Sequence, residues 1–186
     1  LALRKVQEQQ TVSGEHEELD VLGFYYANGV AVVHVLYVRE QKILGSKSYF
    51  PKLPVDMDVN EIFSAFLVQF YLNNIGGQTI PKQILIGQTL EDSAVMADAI
   101  SQVAGFKVLL QQPQRGEKAR YLALAEKNAE TACLAKLSQA EHLFARHQAL
   151  QALLGIGTIS RMECFDISHT MGQQTMASCV VFGPQG

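Results

Sequence analysis

Val30-Ala31-Val32-Val33-His34-Val35-Leu36-Tyr37-Val38-Arg39 is apolar at nearly every position. A strand with one wet face alternates polar and apolar residues, so this run predicts a central strand covered on both sides. Asn28-Gly29 stands directly before it and is a strong hairpin signal. It pairs the run with a strand over Val21 to Ala27. Lys42 to Phe50 reads as a third strand, ended by Pro51 and Pro54. Together the three predict an antiparallel meander.

After the meander the apolar period lengthens to that of a helix. Asp58 with Glu61 makes an N-terminal capping box. Val59, Ile62, Phe63, Phe66, Leu67 and Phe70 then form one apolar helical stripe, stopped by Asn73-Asn74 and Gly76-Gly77. Gln83 to Ile86 is a short strand. Leu90 to Ala104 is a second helix, with Gly105 as its C-terminal cap. Phe106 to Gln111 is a fifth strand, and Glu117 to Leu137 a long helix. Ser138 with Glu141 reads as a fresh capping box, opening another helix that ends at Gly155. Strand, turn and strand follow, over Met162 to Ser168 and Met176 to Phe182.

This order predicts an α/β chain with a ribonuclease H-like mixed sheet: a three-stranded antiparallel meander, then alternating helices and strands. Further helices and the first hairpin of a second such unit come after it. A weak internal duplication would match Val21–Arg39 with Met162–Phe182. Leu1 starts inside a helix-like stretch without an initiator Met, and Phe182-Gly183-Pro184-Gln185-Gly186 is a turn signal with no strand after it. Both predict a piece of a longer protein.

The chain has 186 residues, 48% hydrophobic and 18% charged, as in ordinary soluble domains. No apolar run approaches the roughly 18 residues of a membrane span, and no signal-peptide pattern is present. The net charge of −3 argues against tight nucleic-acid binding by this piece alone, because neutralising phosphates needs clustered Lys and Arg. It leaves room for a local basic patch. Cys133, Cys164 and Cys179 form no CxxC pair and read as reduced thiols of a cytoplasmic protein.

Chemistry concentrates in Arg161-Met162-Glu163-Cys164-Phe165-Asp166-Ile167-Ser168-His169. Asp166 lies mid-run among strand-forming apolar residues, where burial of a charge costs several kcal/mol unless something pairs with it. A divalent ion is one such partner; a structural carboxylate held by backbone donors or Ser168 is the other reading. On a strand Asp166 shares its face with Cys164 and Ser168, while Phe165 and Ile167 point away. His169 follows as a metal ligand, a phosphate contact or a solvent-facing turn residue.

The first unit offers no equivalent carboxylate. Gly23 is near mid-strand, and Asp20 is expected at an exposed strand end, so this unit reads as a catalytically dead scaffold. His34 is expected to be a hydrogen-bonded core histidine. Pro113-Gln114-Arg115-Gly116-Glu117-Lys118-Ala119-Arg120 is the basic cluster of the structured region. Arg115, Lys118 and Arg120 at a helix N-terminus suit DNA phosphates, or form a solvated helix start.

The segment Arg161–Gly172, ECFDISH above all, closely resembles the opening of the C-terminal nuclease domain of the UvrC family, subunits of the bacterial excinuclease. Leu3–Gln10 resembles the end of that family's UVR helical hairpin. Leu19–Gly23, Gly45–Phe50, Gln112–Arg120 and Asn128-Ala129 resemble the domain after it, with Gln114 an extra residue between Pro113 and Arg115.

The resemblance covers essentially the whole chain and implies nucleotide excision repair. Family members cut damaged DNA on both sides of a lesion, with UvrB as the partner in the complex and UvrA acting upstream. A GIY-YIG domain makes the 3′ cut, and the ribonuclease H-like domain makes the 5′ cut with divalent metal, Mg²⁺ or Mn²⁺. Asp166 is the one catalytic, metal-binding residue carried over, since the family's further ligands lie beyond Gly186. The implied layout is residues 1–14 as the end of the UVR hairpin, 15–115 as a non-catalytic ribonuclease H-like domain, 116–158 as connecting helices, and 159–186 as the start of the endonuclease domain. The isolated piece is expected to be inactive. The alternative function is a non-catalytic scaffold that binds DNA or a partner protein.

Overall fold

The computed structural model describes residues 18–52, 58–73, 79–170 and 173–183; the stretch expected to end a UVR hairpin lies outside them. The chain divides into two compact units, residues 1–133 and 134–186.

In the first unit the meander forms as expected, over β1 (Leu19–Ala27), β2 (Val30–Arg39) and β3 (Lys42–Tyr49). Asn28 and Gly29 both take positive φ, 46° and 77°, as the two-residue turn requires. α1 (Val59–Leu67) starts at the Asp58 capping box, where the Glu61 carboxylate accepts the Asp58 N–H at 3.4 Å. One π-helical turn, Val68–Leu72, follows. β4 (Gln83–Ile86) runs parallel to β1, α2 (Ser93–Ala104) ends on left-handed Gly105, and β5 (Leu109–Gln111) runs parallel to β4. The sheet order is β3-β2-β1-β4-β5.

Helices cover both faces of this sheet. Leu22, Phe24, Val33 and Val35 pack with Phe63, Phe66, Phe70 and Ile100 on the α1 and α2 side. Leu19, Val21, Leu36, Val38 and Leu85 pack with Leu122 and Ala125 on the other. Eight consecutive residues of β2, Ala31 to Val38, are therefore buried, which accounts for its unbroken apolar run.

Three expectations are corrected. The two helices predicted on either side of Ser138 are one 39-residue helix, α3 (Gly116–Leu154). No Gly or Pro interrupts this stretch, and its Ala, Leu, Glu and Lys content favours continued propagation over a new start. Asp20, expected to be exposed, is 1% exposed inside the sheet. The strands of the final hairpin are longer than predicted: β6 is Met162–Thr170 and β7 is Gln173–Phe182. Their ladder is continuous from Met162↔Phe182 to Ser168↔Met176, then shifts register before Thr170↔Gln173. The strands of this hairpin are thus paired along their described length. Phe165, Ile167, Val180, Val181 and Phe182 stay exposed.

Candidate functional site: the Asp166 strand and the basic helix start

Asp166 sits mid-strand in β6, directly opposite Ser178. Directly opposed residues share a face, so Cys164 with Val180, Asp166 with Ser178 and Ser168 with Met176 form one side of the ribbon. Asp166 is exposed rather than buried. Among the described residues no group donates a hydrogen bond to it, so the reading as a carboxylate held by Ser168 has no geometric support. The structure also corrects the position of His169: it belongs to β6, at the register shift between Ser168 and Thr170, and does not follow the strand.

A divalent ion with hard oxygen ligands needs several such groups around it. Among the described residues no three His, Cys, Asp or Glu side chains converge closely enough to hold one. Asp166 has the chemistry of one ligand; the described residues do not complete a metal site.

The basic cluster is partly assembled. α3 begins at Gly116, whose φ is 78°. Arg115 and Lys118 line one cavity of about 270 Å³ with Leu19, Val38, Gln41, Glu117 and Tyr121. Lys118 Nζ donates to Gln83 Oε1 at 2.7 Å, which ties α3 to β4. Arg120 is exposed but does not line that cavity.

Sequence reading missed a buried ionic cluster. Arg39 Nη1 donates to Asp20 Oδ1 at 2.9 Å, and the Tyr71 hydroxyl donates to Asp20 Oδ2 at 3.0 Å. Arg39 also donates to the Leu19 and Val38 carbonyls, each at 3.0 Å. Burial raises the Asp20 pKa, and Arg39 and the Tyr71 hydrogen bond pull it back. Burial also raises the pKa of Tyr71, with Asp20 adding to it. The sequence signal was an acid flanked by Leu19 and Val21-Leu22; its partners are remote in the chain and invisible to spacing.

His34 is the buried, hydrogen-bonded histidine expected. Its Nδ1 lies 2.8 Å from Ser48 Oγ, and its Nε2 lies 3.3 Å from Asn128 Nδ2. Burial lowers its pKa. Among the described residues no helix is long and apolar enough to cross a membrane.

Two family models match the chain: the UvrC ribonuclease H-like domain over residues 18–136, and the UvrC RNase H endonuclease domain over residues 151–186. The UvrABC system protein C of Photobacterium profundum is 52% identical over 100% of this chain and 30% of its own length. That of Yersinia pseudotuberculosis is 49% identical over 100% and 30%, and that of Actinobacillus pleuropneumoniae 50% identical over 100% and 31%. The chain thus spans about a third of the length of these relatives. A solved structure of human ENDOV matches with a TM-score of 0.31 and 10% identity, over 62% of this chain and 56% of that one, too weakly to bear on the fold. A ribonuclease H-like domain model over most of the chain, a second over its last hairpin, and close relatives along its full length lead to one assignment: the chain belongs to the UvrC family.

Proposed function

We propose that this chain is the central part of an excinuclease subunit that incises damaged DNA on both sides of a lesion in nucleotide excision repair. Its specific contribution is Asp166, the first metal-binding carboxylate of the 5′-incision site. The observation that carries this reading is the place of Asp166: mid-strand in β6, inside the segment matched by the UvrC endonuclease model. A bound Mg²⁺ or Mn²⁺ supplies activation of water and charge stabilisation at phosphorus. This chain's own part is to present one carboxylate oxygen from the middle of β6. Residues beyond Gly186 complete the ligand set, so the chain alone is inactive.

In this reading residues 1–14 end a UVR hairpin, 15–115 form a non-catalytic ribonuclease H-like domain, 116–158 connect, and 159–186 open the endonuclease domain. Arg115, Lys118, Arg120 and His169 contact DNA. UvrB is the partner in the complex, UvrA acts upstream, and the parent works in the cytoplasm.

The test extends the reading frame past Gly186 and assays a lesion-bearing duplex with the partner subunits and Mg²⁺. Asp166→Asn is expected to abolish the 5′ nick and spare the 3′ nick. Unchanged nicking, or loss of both nicks in a folded protein, refutes the assignment of Asp166 as a ligand. A second reading, a scaffold that binds DNA or a partner protein, draws on the meeting of Arg115 and Lys118 in one cavity.

A further inference from the structure

The two hairpins are built to one measure. β1 and β6 are each nine residues, and β2 and β7 are each ten. Asn28-Gly29 separates the first pair and Met171-Gly172 the second. Counted along their first strands, Leu19 falls on Met162, Asp20 on Glu163 and Gly23 on Asp166; β7 carries one more residue between its turn and this level, so Gly23 faces His34 while Asp166 faces Ser178. At their turns the registers agree, Ala27↔Val30 and Thr170↔Gln173.

We infer that the first unit is a copy of this strand frame in which the metal-ligand position has become a seat for α3. Gly23 lies on the face that carries Val21, the face packed against Leu122 and Ala125. A Cβ built on Gly23 would overlap the backbone of Ala125 and Glu126. Gly87, just after β4, meets only side chains of α3, the Glu126 carboxylate and Leu122, so the backbone contact is particular to Gly23. The underside of the helix is correspondingly small: Ala125, Ala129 and Cys133 are each 0% exposed. Strand glycines of this kind mark the close approach of another backbone.

The sheet secures the helix at this level. Gly23 pairs with His34, and His34 pairs with Ser48, so the three form one row across β1, β2 and β3. The His34 ring bridges Ser48 and Asn128, one nitrogen to the strand and one to the helix. Nε2 accepts from the Asn128 amide, so Nδ1 carries the proton and donates to Ser48. Both nitrogens are then engaged and the ring is neutral. The row offers no carboxylate, no free imidazole lone pair and no room, so a divalent ion does not fit here. The unit's dead site is filled rather than merely missing a ligand. The parallel with Asp166 rests on the function proposed above; the seat itself does not.

The test reads helix seating through the buried thiol of Cys133, whose Sγ lies 3.5 Å from the Val30 carbonyl. Cys164 and Cys179 are exposed. In the 186-residue chain an aromatic disulfide reagent should label two thiols fast and Cys133 slowly. Gly23→Asp should speed Cys133 labelling by at least about tenfold, as expected for easier local opening, and gain no Mn²⁺ binding by electron paramagnetic resonance. Mn²⁺ binding gained by this variant, or Cys133 still protected in it, overturns the inference. Should Gly23→Asp fail to fold, Asn128→Ala decides: it removes only the helix side of the bridge. It should raise the Cys133 rate by about tenfold, one net hydrogen bond's worth, with unchanged circular dichroism. An unchanged rate overturns the seat. Neither measurement involves Asp166, so their outcome is separate from that of the incision assay.

Discussion

Arg39→Met isolates what holds the first unit's sheet together at its buried acid. In the unmutated chain the Asp20 side chain is 2% exposed, with Arg39 at 2.9 Å and itself 17% exposed. Removing one partner of a buried pair costs about 3–5 kcal/mol, because the other charge is stranded. The residual exposure of Arg39 places the expected loss at the lower end, about 3 kcal/mol at pH 7.

The sign of the pH dependence follows from Asp20. Burial already raises its pKa, and Arg39 is the largest influence lowering it. Without Arg39 the folded-state pKa rises further above the unfolded value of about 3.9. A group shifted upward supports the fold fully below its unfolded pKa, and that support is lost as pH rises through the folded pKa. The deficit of Arg39→Met should therefore be greatest near neutral pH. It should shrink toward about 1 kcal/mol near pH 4, where a protonated Asp20 is neutral and only the arginine's own hydrogen bonds are missing. The assay is urea denaturation followed by far-UV circular dichroism, since the chain has no Trp. Arg39→Met with Asp20→Asn should recover part of the neutral-pH loss. A deficit that is the same at pH 4 and pH 7 refutes the reasoning, because it would mean no buried charge is being stranded.

Two further outcomes follow from the packing and the basic helix start. Ile100→Ala empties a fully buried position of α2 and should cost about 3 kcal/mol in the same denaturation assay; a loss under about 1 kcal/mol would mean the site collapses around the cavity. Arg115→Glu with Lys118→Glu in the extended protein should weaken DNA binding and flatten the dependence of log K on log salt by roughly two. An unchanged slope identifies the α3 start as a solvated helix end.

Local signals located most of the framework because they are local in cause. Asn28-Gly29 supplies the positive φ values of its turn, Asp58 with Glu61 caps α1, and Gly105 takes the left-handed φ of 77° that ends α2. Ser138 with Glu141 misled because a capping pair has meaning only where the helix stops, and nothing stops α3 there. His169 was misplaced because strand pairing, set by the partner β7, carries β6 on to Thr170.

Asp166 could be singled out from its neighbours alone: a carboxylate in an apolar strand is costly wherever it is buried. The structure leaves it exposed on β6, with no hydrogen-bond donor to it among the described residues. Leu19 and Val21 were enough to predict a strand, but whether its acid, Asp20, met water or an arginine depended on Arg39 and Tyr71, brought in by β2 and by the π turn after α1. Gly23 shows the division most plainly. The sequence by itself determined that the first unit lacks a carboxylate there. Only the tertiary structure decided what replaced it, because the backbone of Ala125 comes from a helix about a hundred residues away, and close packing leaves that space to one occupant.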